Sequence, residues 1–205
     1  MKDRPILFSA PMVRAILSGQ KSQTRRIVKP RKDLGFGCLL TPGEIAGEVN
    51  NLGEYSNCPY GPPESRLWVR ETWNGPFFDE DSEVPDDAHT PKYCQYRADG
   101  GAAPEYIDAY ENLVCRWRPS IFMPRWASRI TLEITGVRVE RLQDISEGDA
   151  YDEGAAAWAS ETVRNGNKYS SVISAYQALW ESINGPESWS SNPFVWVVSF
   201  RRAPA

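Results

Sequence analysis

Ile130-Thr131-Leu132-Glu133-Ile134-Thr135-Gly136-Val137-Arg138-Val139 is the stretch on which the fold turns. Apolar Ile130, Leu132 and Ile134 alternate with Thr131, Glu133 and Thr135, the period of a strand with one buried face. After Gly136 the apolar phase shifts to Val137 and Val139. A bulge or bend at the glycine absorbs such a shift, and sheets that curl into barrels use it at their corners.

The flanking segments read outward from this strand. Ser146 opens a helix, with Asp149 three residues on as an imperfect capping box. On that helix Ala150, Glu153, Gly154 and Ala157 share one face by three-and-four spacing, so Glu153 is a carboxylate among small residues that turn inward. A second helix carries Val172, Ile173, Tyr176, Leu179, Trp180 and Ile183 at helical spacing and stops at Asn184-Gly185-Pro186. Phe194-Val195-Trp196-Val197-Val198-Ser199-Phe200 is apolar at nearly every position, which suits a central strand. Upstream, Arg66 to Trp73 reads as a strand, and Ile6-Leu7-Phe8 as a first short one. Pro11 suits the first turn of a helix whose stripe is Val13, Ile16 and Leu17, ended by Gly19. Few helices among these strands, one of them bent, predict an α+β fold with a small mixed barrel.

Two regions lack periodicity. Residues 30–65 are rich in Gly, Pro and Asn. Residues 75–115 hold Pro76, Pro85, Pro91, a weak strand from Tyr93 to Ala98, and the acidic run of Asp79, Glu80, Asp81, Glu83, Asp86 and Asp87. Both read as irregular excursions, and the acidic run as a solvated loop.

The 205 residues fit one domain that needs no covalent staple. A net charge of −4 excludes general polyanion binding, so any nucleic-acid face must be local. Local basic fields exist: Arg14 to Lys32 contains seven Lys or Arg and no acid. Cys38, Cys58, Cys94 and Cys115 are scattered, with His89 the sole histidine, so neither a metal site nor a disulfide is expected, and no cofactor. With neither a signal peptide nor an apolar run of membrane length, the expected location is cytoplasmic and off the membrane.

Within the first basic field, Ser18-Gly19-Gln20-Lys21-Ser22-Gln23-Thr24-Arg25-Arg26 sets an amine, hydroxyls and two guanidinium groups behind a capped helix. A threonine attacks only when a base takes its proton, and a lysine serves only when burial or a neighbouring cation depresses its pKa. Arg25 and Arg26 supply such cations. Ser22 competes with Thr24 as the nucleophile, and a solvated loop is the bland alternative. Arg116-Trp117-Arg118-Pro119-Ser120-Ile121-Phe122-Met123-Pro124-Arg125-Trp126-Ala127-Ser128-Arg129 interleaves arginines with aromatics. That pairing holds single-stranded nucleic acid by phosphate contact and base stacking. The same residues also suit core aromatics with wet arginines. Glu71 and Asp149 are further carboxylate candidates.

The Gly19-x-Lys21-x-x-Thr24-x-Arg26 pattern after a short helix resembles the ASCH domain family. So do Leu67-Trp68-Val69-Arg70, the helix start Ile145-Ser146-Glu147-Gly148-Asp149-Ala150 and the terminal strand from Phe194 to Phe200. The order and spacing of these motifs are similar to longer ASCH proteins carried by phages and prophages. The resemblance implies a PUA-like β-barrel flanked by helices over residues 1–205, with insertions at about 30–65 and 75–115, in a bacterial host cell. One branch of the family, the small acetylcytidine amidohydrolases, uses a Lys, a Thr and a Glu to remove an acyl group from a cytosine amine. Carried over, Lys21 assists proton removal, Thr24 attacks and Glu153 holds the lysine. Gly19, Arg25, Arg26, Arg118 and Arg125 are the expected substrate contacts, and the substrate a nucleoside or RNA. Other members are ribonucleases or RNA-binding modules, and those remain the alternatives.

Overall fold

The computed structural model describes residues 3–78, 84–107, 112–163 and 168–204. Asp79, Glu80, Asp81 and Glu83 of the acidic run lie outside them.

The bent strand is where the fold is organised. β4 (Thr131–Arg141) pairs antiparallel along most of its length with β5 (Phe194–Arg202). The register slips between Ile134 and Gly136, so Leu132, Ile134, Val137 and Val139 stay buried on both sides of the bulge. The phase change in the sequence is thus a change in pairing, and the inward face is continuous.

Around this pair lie β1 (Arg4–Leu7), β2 (Gln23–Ile27) and β3 (Arg66–Arg70), giving one five-stranded sheet in the order β1-β3-β4-β5-β2. β1 runs parallel to β3, and the other pairings are antiparallel. β5 is bonded on both edges, and Val195 through Val198 are all buried, as a strand covered on both faces requires. β1 and β2 end the sheet on opposite sides, with no strand pairing between them among the described residues. The architecture is therefore mixed α+β with an open sheet, where a closed barrel was expected. Arg26 on β2 reaches the gap and donates from Nη2 to the Leu7 carbonyl of β1 at 2.8 Å.

Among the described residues, five α-helices accompany the sheet. α1 (Ala10–Leu17) buries Met12, Val13, Ala15 and Ile16, and the chain turns at Gly19, whose φ is +75°. α2 (Pro42–Leu52) lies within a region expected to be irregular. Its start is nonetheless written locally: Thr41 accepts from Glu44 N–H, and the Glu44 carboxylate accepts from Thr41 N–H, a complete capping box. Ile45 and Val49 form its short buried stripe, too short to stand out among Gly and Asn. Asn50 then fastens α2 to β4 with a two-way amide clamp, donating to Val139 O at 2.6 Å and accepting from Val139 N–H at 3.0 Å. The side chain replaces a neighbouring strand where β3 has already ended.

The helix expected from Ser146 through Ala157 is two helices. α3 (Glu147–Asp152) is capped by the Ser146 hydroxyl, which accepts from Asp149 N–H. The chain breaks at Glu153 and at Gly154, with φ +79°, before α4 (Ala155–Val163). The single-face argument for Glu153 therefore does not hold: it is buried because it caps the end of α3. α5 (Val172–Asn184) matches its predicted bounds and starts with a Ser171–Ser174 capping box.

Residues 75–115 contribute to two short ribbons: Gln95–Tyr96 pairs with Trp73–Asn74 just upstream, and Glu105–Ile107 pairs with Leu113–Cys115. A second small core of Trp73, Tyr96, Met123 and Ala127 lies beneath them.

Candidate active site

The gap between β1 and β2 opens into a cleft of about 540 Å³. Lys21, Thr24 and Glu153 all line it, with Phe8 and Met12 on one side and Tyr176, Leu179, Trp180 and Ile183 of α5 on another. Arg26, Lys29, Tyr60 and Asn184 also line it.

Lys21 is placed by the turn after α1, where its N–H and that of Gln20 both donate to Ala15 O. Its ammonium is sealed in and donates at 2.7 Å to Glu153 twice, to carboxylate Oε2 and to the main-chain carbonyl. The break at Gly154 makes this double contact available, since it ends α3 with the Glu153 side chain and carbonyl both facing Lys21. A Cβ added to Gly154 would sit 3.3 Å from the Cβ atoms of both Ala15 and Lys21. Burial pulls the Lys21 pKa down most strongly, Glu153 pushes back, and Arg26 and Arg25 add to the lowering; the net direction is below the ordinary lysine value.

Arg25 has no exposed side-chain surface, and all three guanidinium nitrogens are engaged. It pairs with Glu140 at 2.5 Å, Asp149 at 3.2 Å and Glu153 at 3.4 Å, and donates to Gln23 Oε1 at 2.6 Å. Arg138 closes the ring by pairing with Glu140 and Asp149, each at 2.9 Å. Lys21, Arg25 and Arg138 thus face Glu140, Asp149 and Glu153, three cations against three carboxylates, with Lys21, Arg25 and Glu153 buried and the other three partly exposed. Burial raises the Asp149 pKa, but Arg138 and Arg25 overcome it and hold the carboxyl below its ordinary value. Tyr176, under Arg25 with 5.9 Å from its ring centroid to the guanidinium carbon, has its pKa pushed well up by burial and by Glu153.

Thr24 differs from its neighbours. It is 1 % exposed, and its hydroxyl has no hydrogen-bond partner among the described residues; the indole N–H of Trp180 is in the same state. A buried unpaired polar group costs about 1–3 kcal/mol. Both residues line the cleft. The Thr24 hydroxyl is sealed from water, so meeting a substrate requires a side-chain adjustment at the cleft floor.

The remaining sequence candidates are distributed as follows. Arg26 lines the cleft, its guanidinium 5.3 Å from the Phe8 ring centroid. Arg25 lines it too, but its donors are spent on the buried network, so it holds Glu153 in place and offers nothing to a ligand. Gly19 shapes the turn before Lys21 and does not line the cleft. Ser22 points elsewhere, donating to Asp152 at 2.8 Å. Arg118 and Arg125 are not at the cleft. Arg118 stacks over Trp73 and Tyr106, and Arg125 over Trp68 while pairing with Asp3 at 3.1 Å. Trp126 packs against Trp73 and His89. The interleaved arginines and aromatics are therefore largely stacked on the protein itself. Glu71 is buried in an ion pair with Arg129 at 2.9 Å, away from the cleft.

Sequence reasoning missed the wall supplied by α5 and the part played by Glu140. The α5 stripe was legible, but a stripe at helical spacing looks the same whether it covers a core or a cleft. Among the described residues no group of three or more His, Cys, Asp or Glu side chains converges as a metal site would. Among those residues no helix is long and apolar enough to cross a membrane. In comparisons with known proteins, the chain matches no family model, no curated protein and no solved structure.

Proposed function

We propose that the chain is an ASCH-type domain of PUA-like fold and that its cleft hydrolyses an acyl amide on a modified nucleobase. The observation that carries this reading is the buried Lys21–Glu153 pair beside an unpartnered Thr24 hydroxyl, in a cleft with an aromatic wall.

In this reading neutral Lys21 takes the Thr24 hydroxyl proton as Thr24 Oγ1 bonds to the amide carbonyl carbon. The C–N bond then breaks, and the exocyclic amine leaves with a proton returned by Lys21. Water cleaves the resulting acyl-threonine ester by the same route in reverse. Glu153 fixes the amine with two hydrogen bonds, and Arg25 pairs with the other carboxylate oxygen of Glu153 at 3.4 Å. Burial lowers the Lys21 pKa, which makes the neutral form easier to reach. Thr24 and Lys21 are not hydrogen-bonded to each other in the ligand-free cleft, and catalytic contacts of this kind often tighten only when substrate binds. Tyr176 and Trp180 are among the residues that line the cleft, though each is almost fully buried.

The alternative is an RNA-binding module without chemistry. It draws support from the exposed Phe122 and Ile121 beside Arg125, but Trp126 of that segment is packed against Trp73 and His89, and Arg118 and Arg125 are stacked on the protein's own rings.

The test is incubation of purified protein with a panel of acylated and alkylated nucleosides, read by mass spectrometry. Loss of an acyl group from a cytidine-type amide, absent with Thr24→Ala and Lys21→Ala, is the expected result. An unchanged panel rejects the hydrolase.

A further inference from the structure

We propose that the cleft takes its nucleoside as a phosphate ester, with the phosphate held at the mouth by Arg26 and Lys29. The proposal rests on the nucleobase reading above and extends it to the part of the ligand that reaches solvent.

It follows from how charge is distributed among the cleft-lining residues. Four are cationic, Lys21, Arg25, Arg26 and Lys29, and one is acidic, Glu153. The inner two cations belong to the balanced network with Glu140, Asp149, Glu153 and Arg138. Arg26 and Lys29 do not: neither makes an ion pair among the described residues. Arg26 donates only to main-chain carbonyls, to Leu7 O at 2.8 Å and Arg25 O at 3.2 Å. Those bonds hold the guanidinium at the gap between β1 and β2 without neutralising it, and they leave Nε and a hydrogen on each terminal nitrogen free. Lys29 follows two residues beyond the end of β2 and is exposed.

The surplus is thus two positive charges at the mouth of a cleft whose floor is neutral overall. A phosphate monoester carries about −1.5 to −2 at neutral pH. Arginine matches phosphate oxygens geometrically and lysine adds a mobile point charge. The volume suits one small ligand. A base seated in the cleft leaves the sugar phosphate directed outward to the two cations.

The same chemistry arises from a free nucleotide or from a nucleotide in an RNA strand. Calorimetric titration separates these with four nucleoside 5′-monophosphates, the four parent nucleosides and a 5′-phosphorylated trinucleotide as probes. Within a base pair of probes, the monophosphate should bind about tenfold more tightly than the nucleoside at low salt. The advantage should vanish near 1 M salt, where the screening length is about 3 Å. Lys29→Gln, an exposed change, should cut the advantage about threefold. Equal affinity of trinucleotide and monophosphate identifies a free nucleotide, and tighter trinucleotide binding identifies a strand. Equal binding of monophosphate and nucleoside, or binding of neither for every base, overturns the proposal. None of these probes carries an acyl group, so a protein that hydrolyses nothing can still pass. Conversely, equal turnover of an acylated nucleoside and its monophosphate removes the phosphate site and leaves the Lys21 chemistry standing.

Discussion

Lys21 and Glu153, separated by 132 positions in the chain, meet through two hydrogen bonds of 2.7 Å from one ammonium to the carboxylate and carbonyl of the same residue. The pair joins the turn after α1 to the break between α3 and α4, and it is nearly inaccessible to water, at 2 % and 5 % side-chain exposure. An ion pair buried to this degree costs more to break than it contributes when made.

Glu153→Ala should therefore destabilise the protein by about 3–5 kcal/mol, because Lys21 and Arg25 would both lose a buried partner. Glu153→Gln should cost less, since the amide still accepts from Lys21. Chemical denaturation of both variants checks this, and equal costs would mean that the carboxylate charge, lost in both, accounts for the whole effect and the retained acceptor for none of it.

Thr24→Val should be neutral or stabilising by up to about 1 kcal/mol, because it removes a buried hydroxyl that bonds to nothing. The same change should abolish amide hydrolysis. A clear loss of stability would show that the hydroxyl has a partner in solution, and retained activity would transfer the nucleophile elsewhere.

The stability contributed by Lys21 should depend on pH with a defined sign. Its folded-state pKa lies below the ordinary value of 10.5. Between the two values the unfolded chain binds more protons, so this contribution improves as pH rises through the window and levels off above it. Unfolding free energies of wild type and Lys21→Met at about pH 7 and about pH 9.5 should move apart in favour of wild type at the higher pH. A constant difference, or one of opposite sign, contradicts the depressed pKa.

Gly154→Ala should cost about 1–3 kcal/mol, from the positive φ and from the new methyl pressing on Ala15 and Lys21. Activity should fall further than stability explains, since the crowding falls on the Lys21 side chain. Kinetics measured well below the melting transition separate the two effects.

Thr41→Ala should cost about 1 kcal/mol by opening the capping box of α2. Thermal melts of the single variant test it.

Several elements were legible from residue order alone because their signals are local. The Gly136 bulge is written in the phase change from Ile134 to Val137, β5 in the unbroken apolar run from Phe194 to Val198, and α5 in a stripe ending at Asn184. Lys21 and Thr24 stood out because a basic field and a helix stop lie beside them. α2 was equally local in its capping box, but Gly43, Gly47 and Asn50 diluted the period by which helices are recognised.

Other features required the folded chain. Periodicity says that Tyr176 and Trp180 face inward, not that they line a cleft at the gap between β1 and β2. Charge patterning shows that Arg25 is a cation, whereas only the meeting of β2, β4 and α3 gives it Glu140, Asp149 and Glu153. Arg118 and Arg125 look in sequence like ligand contacts and find their aromatic partners on Trp73, Tyr106 and Trp68. The physical reason is common to all of these. Helix and strand preferences are set by near neighbours, so one chain segment contains them. Compensation of a buried charge depends on groups brought together from distant positions, and that information exists only once the sheet has assembled.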